Sequence, residues 1–300
     1  QDFIYGIAIK DDIKYDVTGV MRFPMHAICI RNEKEEEMKI LCVGDIHAKP
    51  QIVYAVAKLV KDYDRVIFLG DYVDDWGADP DQSRIALEAV IELATLNPIN
   101  VVLLRGNHDF SEYYGYTKRE FMCSGFNIGT HNLCQRLYRD HWHRLYTAYI
   151  VHGNSEEAGN DWWISHAGVT NGWYRQWGEY WDSLTFDEKS KTSLLDTEVF
   201  LNQVGSARGG RSLNPSPIWA DYYEVVASPK TYVNQIVGHT PVKTVTCHEF
   251  KNGDGIKNKI FFCDTFSTYT DGTPYGDGSC LSLDTEAGTW EKVYPMKEVG

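Results

Sequence analysis

Five short polar motifs, each directly following an apolar run, constrain this chain more than any other feature. They are Gly44-Asp45-Ile46-His47, Gly70-Asp71-Tyr72-Val73-Asp74, Gly106-Asn107-His108-Asp109, Ser165-His166-Ala167-Gly168 and Gly238-His239-Thr240. The runs before them, residues 39–43, 66–69, 101–104, 162–164 and 235–237, are short and apolar, which is the pattern of buried strands. In an open α/β sheet, ligands bind beyond the carboxyl ends of the strands. Five strand ends carrying Asp, His and Asn therefore predict one cluster rather than five separate turns.

The residues in that cluster have a definite chemistry. Two carboxylates, one amide oxygen and three imidazoles from these motifs make a mixed oxygen and nitrogen set without a thiolate. Such a set suits manganese, iron or zinc rather than calcium. Two ions sharing a bridging carboxylate sit roughly 3.5–4 Å apart and clamp the attacking and leaving oxygens of phosphoryl transfer. A water bound to such an ion ionises near neutral pH and becomes a nucleophile.

The series GDIH, GDYVD, GNHD, SHAG and GHT resembles the calcineurin-like metallophosphoesterases. The single His of the last motif, the motif order and Ile218-Trp219-Ala220-Asp221 place the resemblance in the phosphoprotein phosphatase branch. It runs from about residue 38 to residue 283. Cys123-Ser124-Gly125-Phe126, the 166–171 stretch and Arg208-Gly209-Gly210 are similar to uncharacterised phosphatase-like proteins of phages and gut bacteria. The resemblance implies that Asp45, His47 and Asp71 hold a first ion. Asp71 would bridge to a second, completed by Asn107, His166 and His239. It makes His108 a general acid on the leaving oxygen, oriented by Asp74. A carboxylate behind an imidazole fixes its tautomer and raises its pKa, which suits a proton donor.

Two positions depart from the family pattern. The family usually has Arg directly after the Asp of the second motif, where it grips phosphate, but here Asp75 follows Asp74. A carboxylate there repels a phosphate dianion. The third motif also ends in Asp109 where the phosphoprotein phosphatases usually have Glu. The phosphate grip is therefore expected from Arg208 or Arg211 in the Gly-rich 205–211 stretch, since arginine suits bidentate phosphate contacts. Asn107 would also face substrate. Arg105 is read as a structural ion-pair partner, and Trp219-Ala220-Asp221 as packing under the site. His141 and His143 fall on different faces of an expected helix, too far apart to share a metal.

Composition limits the rest. At 300 residues with 43% hydrophobic content, the chain can bury a sizeable core. A formal net charge of −13 argues against extensive nucleic-acid binding, which needs a basic surface. Seven cysteines without a CxxC pair indicate a reducing compartment, hence a cytoplasmic setting in a bacterial cell or phage-infected host. No run approaches a membrane span.

From residue 38 the pattern is β-α-β-α-β. Pro50 starts a first helix with Ile52, Val56, Leu59 and Val60 on its apolar face. Asp79 caps a second helix whose inward positions are Ala86, Ala89, Val90 and Leu93. Residues 120–146 are expected to be mostly helical and to wall the cleft. Runs 243–249, 259–264, 280–284 and 289–294 read as antiparallel strands. The expected fold is α/β of four-layer type: two mixed β-sheets packed as a sandwich, flanked by helices, with a binuclear metal site at strand C-terminal ends. Residues 38–300 form that domain, and residues 1–37 are an extension that could form a small hairpin. The expected activity is binuclear, metal-dependent hydrolysis of phosphate esters by a metal-bound hydroxide. The favoured form is a phosphomonoesterase using two divalent ions, manganese ahead of iron or zinc. Its substrate would be a phosphorylated small molecule, a nucleotide or a phosphoprotein. The alternatives are a phosphodiesterase or dinucleotide polyphosphate hydrolase and, from another class, a non-catalytic metal-stabilised binding protein.

Overall fold

The computed structural model describes residues 38–115, 119–151, 159–183 and 200–297. The expected hairpin of residues 1–37 lies outside them. Four short runs pair in parallel as β1 (Lys39–Val43), β2 (Arg65–Phe68), β3 (Val101–Leu104) and β4 (Leu145–Tyr146). Two more strands, β10 (Cys280–Asp284) and β11 (Trp290–Val293), extend this sheet antiparallel from β1. The second sheet runs in the order β5 (Ala148–Val151), β6 (Trp162–Ser165), β7 (Asn234–Val237), β9 (Lys257–Phe262) and β8 (Thr246–Lys251). It mixes parallel pairs (β6 with β7, β7 with β9) and antiparallel pairs (β5 with β6, β8 with β9).

The alternation of side chains along a strand sorts the core into layers. Ile40, Cys42, Ile67, Leu69, Val102 and Leu104 face the second sheet and pack with Tyr149, Trp162, Ile164, Ile236 and Phe261. Leu41, Val43, Val66, Phe68 and Leu103 face the other way, onto helices α1 (Pro50–Ala57) and α2 (Pro80–Leu96). Beyond the second sheet, Val225 of the short helix α6 (Tyr222–Ala227) packs on Val237, Ile260 and Phe262. The order helix, sheet, sheet, helix is the expected sandwich.

Local signals explain the helices. Pro50 stands in the first turn of α1, where its missing N–H costs nothing. Asp79 accepts from the Gln82 N–H and the Gln82 side chain returns the bond, closing a capping box on α2. Ala86, Ala89, Val90 and Leu93 are buried as expected. Helix α3 (Asn107–Tyr114) starts within the third motif, and α5 spans Asn171–Ser183.

Two expectations change. Helix α4 covers only Ile128–His141, because Asn127 caps its start; a 3-10 turn at Trp142–Arg144 then leads into β4. The four C-terminal strands do pair antiparallel, but as two hairpins in different sheets, and β9 also pairs in parallel with β7. Among the described residues, no helix is long and apolar enough to cross a membrane.

The loops after β2 and β3 touch at two glycines. Gly70 has φ +107°, and a Cβ there would lie 2.5 Å from the backbone nitrogen of Gly106. Strain and clash act together, so Gly70→Ala should lower the unfolding free energy by about 3 kcal/mol. Urea denaturation monitored by circular dichroism tests this, and a loss under about 1 kcal/mol would mean the loops can part at small cost.

Candidate active site

All five motifs converge. β1, β2 and β3 of the first sheet end at Asp45 and His47, at Asp71 and Asp74, and at Asn107 and His108; β6 and β7 of the second sheet end at His166 and His239. Asp45, His47 and Asp71 bring one donor atom each within 4.8 Å of one another, and so do Asp71, His166 and His239. Asp71 belongs to both groups. Nε2 of His166 lies 3.0 Å from Asn107 Oδ1, 3.1 Å from His239 Nδ1 and 3.4 Å from Asp71 Oδ2.

The backbone aims these groups at some cost. His47, Asp71, Asp74 and His239 all have positive φ, between 38° and 64°. For residues other than glycine that conformation is uncommon, and strain of this kind costs about 1–3 kcal/mol per residue. Hydrogen bonds hold the strained turns. The His239 N–H donates to Asp45 Oδ2 (2.8 Å), and the His108 N–H donates to Asp71 Oδ1 (2.9 Å). The ring orientations are fixed from behind. His47 Nδ1–H donates to the Asp74 carbonyl (2.7 Å) and His166 Nδ1–H to the Leu69 carbonyl (2.8 Å). This leaves both Nε2 lone pairs facing the cluster, the usual arrangement behind a metal-bound imidazole.

The charges fit divalent cations and little else. Burial, with Asp264 and Asp71 beside it, pushes the Asp45 carboxyl well above its usual range. Burial acts the same way on Asp71, but the His166 and His108 imidazoles outweigh it and hold that carboxyl well below. Burial, Arg208 and His166 drive the His239 imidazolium down, so its ring stays neutral. Asp45 Oδ1 is buried without a hydrogen-bond partner. Buried orphan acceptors are costly unless a cation meets them. The donor separations of 3.0–3.4 Å around His166 Nε2 match the edges of a polyhedron whose bonds are about 2.0–2.2 Å.

His108 stands beside the cluster, its ring edge-on to that of His47 with centroids 5.3 Å apart. Its Nδ1 lies 3.2 Å from Asp74 Oδ2. Burial alone would lower its pKa, but Cys123, Asp71 and the Asp74 hydrogen bond prevail and raise it well above the ordinary value. A cleft of ≈ 630 Å³ opens over these groups, lined also by Arg208 and Trp76.

Arg208 and Arg211 part company. Arg208 reaches the cleft wall: its Nη2 donates to Thr240 Oγ1 (2.9 Å) and its Nε lies 2.9 Å from Asp221 Oδ2. Asp221 thus anchors this arginine besides capping α6. Arg211 is exposed and does not line the cleft. Arg105 is structural, as expected, but what holds it is the Leu145 carbonyl, with the Trp142 ring 4.7 Å away, rather than an acid. Asp75 lines the cleft and is neutralised by the Lys49 ammonium. His141 and His143 belong to no metal-competent group among the described residues.

Two contributors escaped the sequence reading, and a third, Asp109, was named there without its role. Lys49 follows the first motif by two residues and has no motif of its own. Asp264 lies two residues beyond β9, the same strand-end position as the other acids, and that was its signal. Asp109 accepts from the N–H groups of Asp71 (2.8 Å), Gly106 (2.8 Å) and Tyr72 (3.1 Å) and from the Tyr138 hydroxyl (2.7 Å).

Comparison with known proteins follows the same line. The family model of calcineurin-like phosphoesterases matches residues 38–259. No curated protein matches the chain. Among solved structures, the chain is similar to a mutant of a cold-active protein tyrosine phosphatase, with 18% identity over 89% of this chain and 82% of that one and a TM-score of 0.46. It is also similar to a protein serine/threonine phosphatase from Saccharomyces cerevisiae related to human PP5, with 15% identity, coverage of 89% and 83%, and a TM-score of 0.46. A metallophosphoesterase from Sphaerobacter thermophilus shares 17% identity over 88% and 95% of the two chains, with a TM-score of 0.41. The matched segment holds all six converging residues, and the chain belongs to the calcineurin-like phosphoesterase family, whose members hydrolyse phosphoesters with divalent metal ions.

Proposed function

We propose that this chain is a two-metal phosphomonoesterase that prefers manganese. The observation that carries this reading is the sharing of Asp71 between two donor groups. Asp45, His47 and Asp71 would hold one ion; Asp71, Asn107, His166 and His239 would hold the other. Bound ions supply Lewis acidity and an activated water. The protein supplies the rest. Asp74 keeps His108 oriented and charged, and His108 delivers a proton to the leaving oxygen.

The Lys49–Asp75 pair bears on substrate class. Asp75 alone would repel a dianionic monoester and favour a diester. With Lys49 against it, that repulsion is offset, which supports the monoester. Arg208, held by Asp221 and Thr240, is preorganised to contact a phosphate oxygen. Trp76 is exposed at the cleft and offers a face for a nucleobase or aromatic group, so a nucleotide or a phosphoprotein of the serine/threonine type fits the opening. The six described cysteines are free, which supports a reducing, cytoplasmic setting.

The wild-type chain should bind two ions when saturated with Mn²⁺. Asp71→Asn should lose at least one and lower turnover by about a hundredfold or more. Metal analysis beside a p-nitrophenyl phosphate assay checks both, and full double occupancy in the variant would count against the shared bridge. His108→Asn should keep both ions and slow an alkyl phosphate more than p-nitrophenyl phosphate, since nitrophenolate leaves without a proton; equal slowing of both would remove His108 from proton transfer. Arg208→Ala should weaken inorganic phosphate inhibition and lower kcat/KM by about tenfold to a hundredfold with metal content intact. Lys49→Ala, which bares Asp75, should cut monoester hydrolysis by about tenfold while bis-p-nitrophenyl phosphate is less affected. A rise in neither discrimination nor phosphate Ki would exclude both cations from the grip.

A further inference from the structure

On the side of His108 away from the cluster of six ligands stands a second, chemically different group. Cys123 lies in the loop between the 3-10 turn Arg119–Phe121 and α4. Its Sγ is 3.4 Å from His108 Nδ1, and Asp74 Oδ2 is 3.2 Å from the same nitrogen. One donor atom from each of Asp74, His108 and Cys123 lies within 4.8 Å of the other two. A zinc ion bonds to nitrogen and oxygen at about 2.0–2.2 Å and to sulfur at about 2.3 Å, so tetrahedral edges run to about 3.3–3.7 Å. Of the measured separations, 3.4 Å falls within that range and 3.2 Å just under it. A thiolate, an imidazole and a carboxylate with an open fourth position form a zinc set, softer than the sulfur-free set of the binuclear pair.

A further observation points to a cation here. Glu112 of α3 is fully buried; its Oε1 accepts from the Asn127 N–H (2.9 Å), while its Oε2 has no hydrogen-bond partner. Burial, then the charge of Asp74, pushes its carboxyl up to about 9. Glu112 and Asp74 thus crowd two carboxyl groups around one shared proton, a place that a cation held by Asp74 would take over. Access is open, since Asp74, His108 and Cys123 all line the cleft.

We propose that Asp74, His108 and Cys123 form a third metal site, selective for zinc, whose occupancy switches the enzyme off. Zinc displaces the thiol proton of Cys123 and the Nδ1 proton of His108, and takes Asp74 from its hydrogen bond. The ring then keeps a hydrogen on Nε2 but cannot become an imidazolium. A metal-bound neutral imidazole is a far weaker acid than an imidazolium, so proton delivery to the leaving oxygen fails. This consequence rests on the reading of His108 as the general acid; the metal site itself does not.

The test uses the full chain saturated with Mn²⁺ and then titrated with buffered Zn²⁺ or Co²⁺. The wild type should take up one further ion, and the Co²⁺ titration should produce a thiolate-to-cobalt charge-transfer band. Zn²⁺ should inhibit reversibly, the alkyl phosphate more than p-nitrophenyl phosphate, each rate normalised to the same variant without zinc. Cys123→Ser should lose the band and about tenfold or more of the zinc sensitivity. Absence of the extra ion or the band, or equal zinc inhibition in wild type and Cys123→Ser, overturns the proposal and assigns inhibition to exchange at the binuclear pair. A Cys123-dependent band and inhibition that fall equally on both esters support the site and overturn only the role of His108. Absence of turnover in Mn²⁺ before any zinc is added would defeat the phosphoesterase reading, and the cobalt band still decides the site.

Discussion

The Asp109 carboxylate is the fastening on which the site depends. It gathers three backbone N–H groups, from Asp71, Tyr72 and Gly106, and the hydroxyl of Tyr138 on α4. Burial and the nearby Asp71 push its pKa up to about 6, against the pull of the donors from Gly106, Tyr138 and Tyr72. In this way the second and third motifs are clasped into one unit by the chain's own hydrogen bonds. The clasp holds Asp71 in the left-handed conformation that turns its carboxylate toward both donor groups. Gly70 and Gly106 let the two loops meet backbone to backbone, which brings their N–H groups within reach of the short Asp109 side chain.

Around this fastening, the chain holds an arrangement that is unfavourable without cations. Three buried acids, Asp45, Asp71 and Asp264, share one corner with inward-facing imidazole lone pairs. Four of the residues there carry a strained backbone. The hydrophobic layers on both faces of the first sheet and the hydrogen bonds behind the rings maintain it. Ions that bind the folded chain and not the unfolded one add stability in proportion to the logarithm of their concentration over Kd. Metal binding and folding are therefore linked in this fold.

The strand ends and the polar residues that converge from them were legible in the sequence because each is local: a short apolar run, a turn, then a polar side chain. Helices α1 and α2 were legible for the same reason, through Pro50, Asp79 and regular apolar spacing. What stayed hidden is long-range. Lys49 meets Asp75 from another loop, so a lone acid in the sequence became a neutral pair in space. Arg208 and Arg211 look alike three residues apart, and only Asp221 and Thr240 decide which one turns inward. The two-residue β4 is too short to show a period, and it exists because β3 offers it a partner. The C-terminal hairpins have equal patterning, and nothing local says that one joins each sheet.

The division of the ligands between the sheets has a mechanical meaning. Asp45, His47, Asp71 and Asn107 hang from the first sheet, and His166 and His239 from the second. The two sets of polar side chains thus meet at a joint between the sheets, beside the apolar layer of Ile40, Cys42, Ile67, Tyr149, Trp162 and Phe261. That layer acts as a spacer: its thickness sets how far apart the two halves of the coordination shell stand. A methylene added or removed there, far from any ligand, alters the gap across which the ions must fit. The interior of the sandwich is in this sense a gauge for the gap between the two sets of donors, and its side-chain volumes bear on the site as well as on stability.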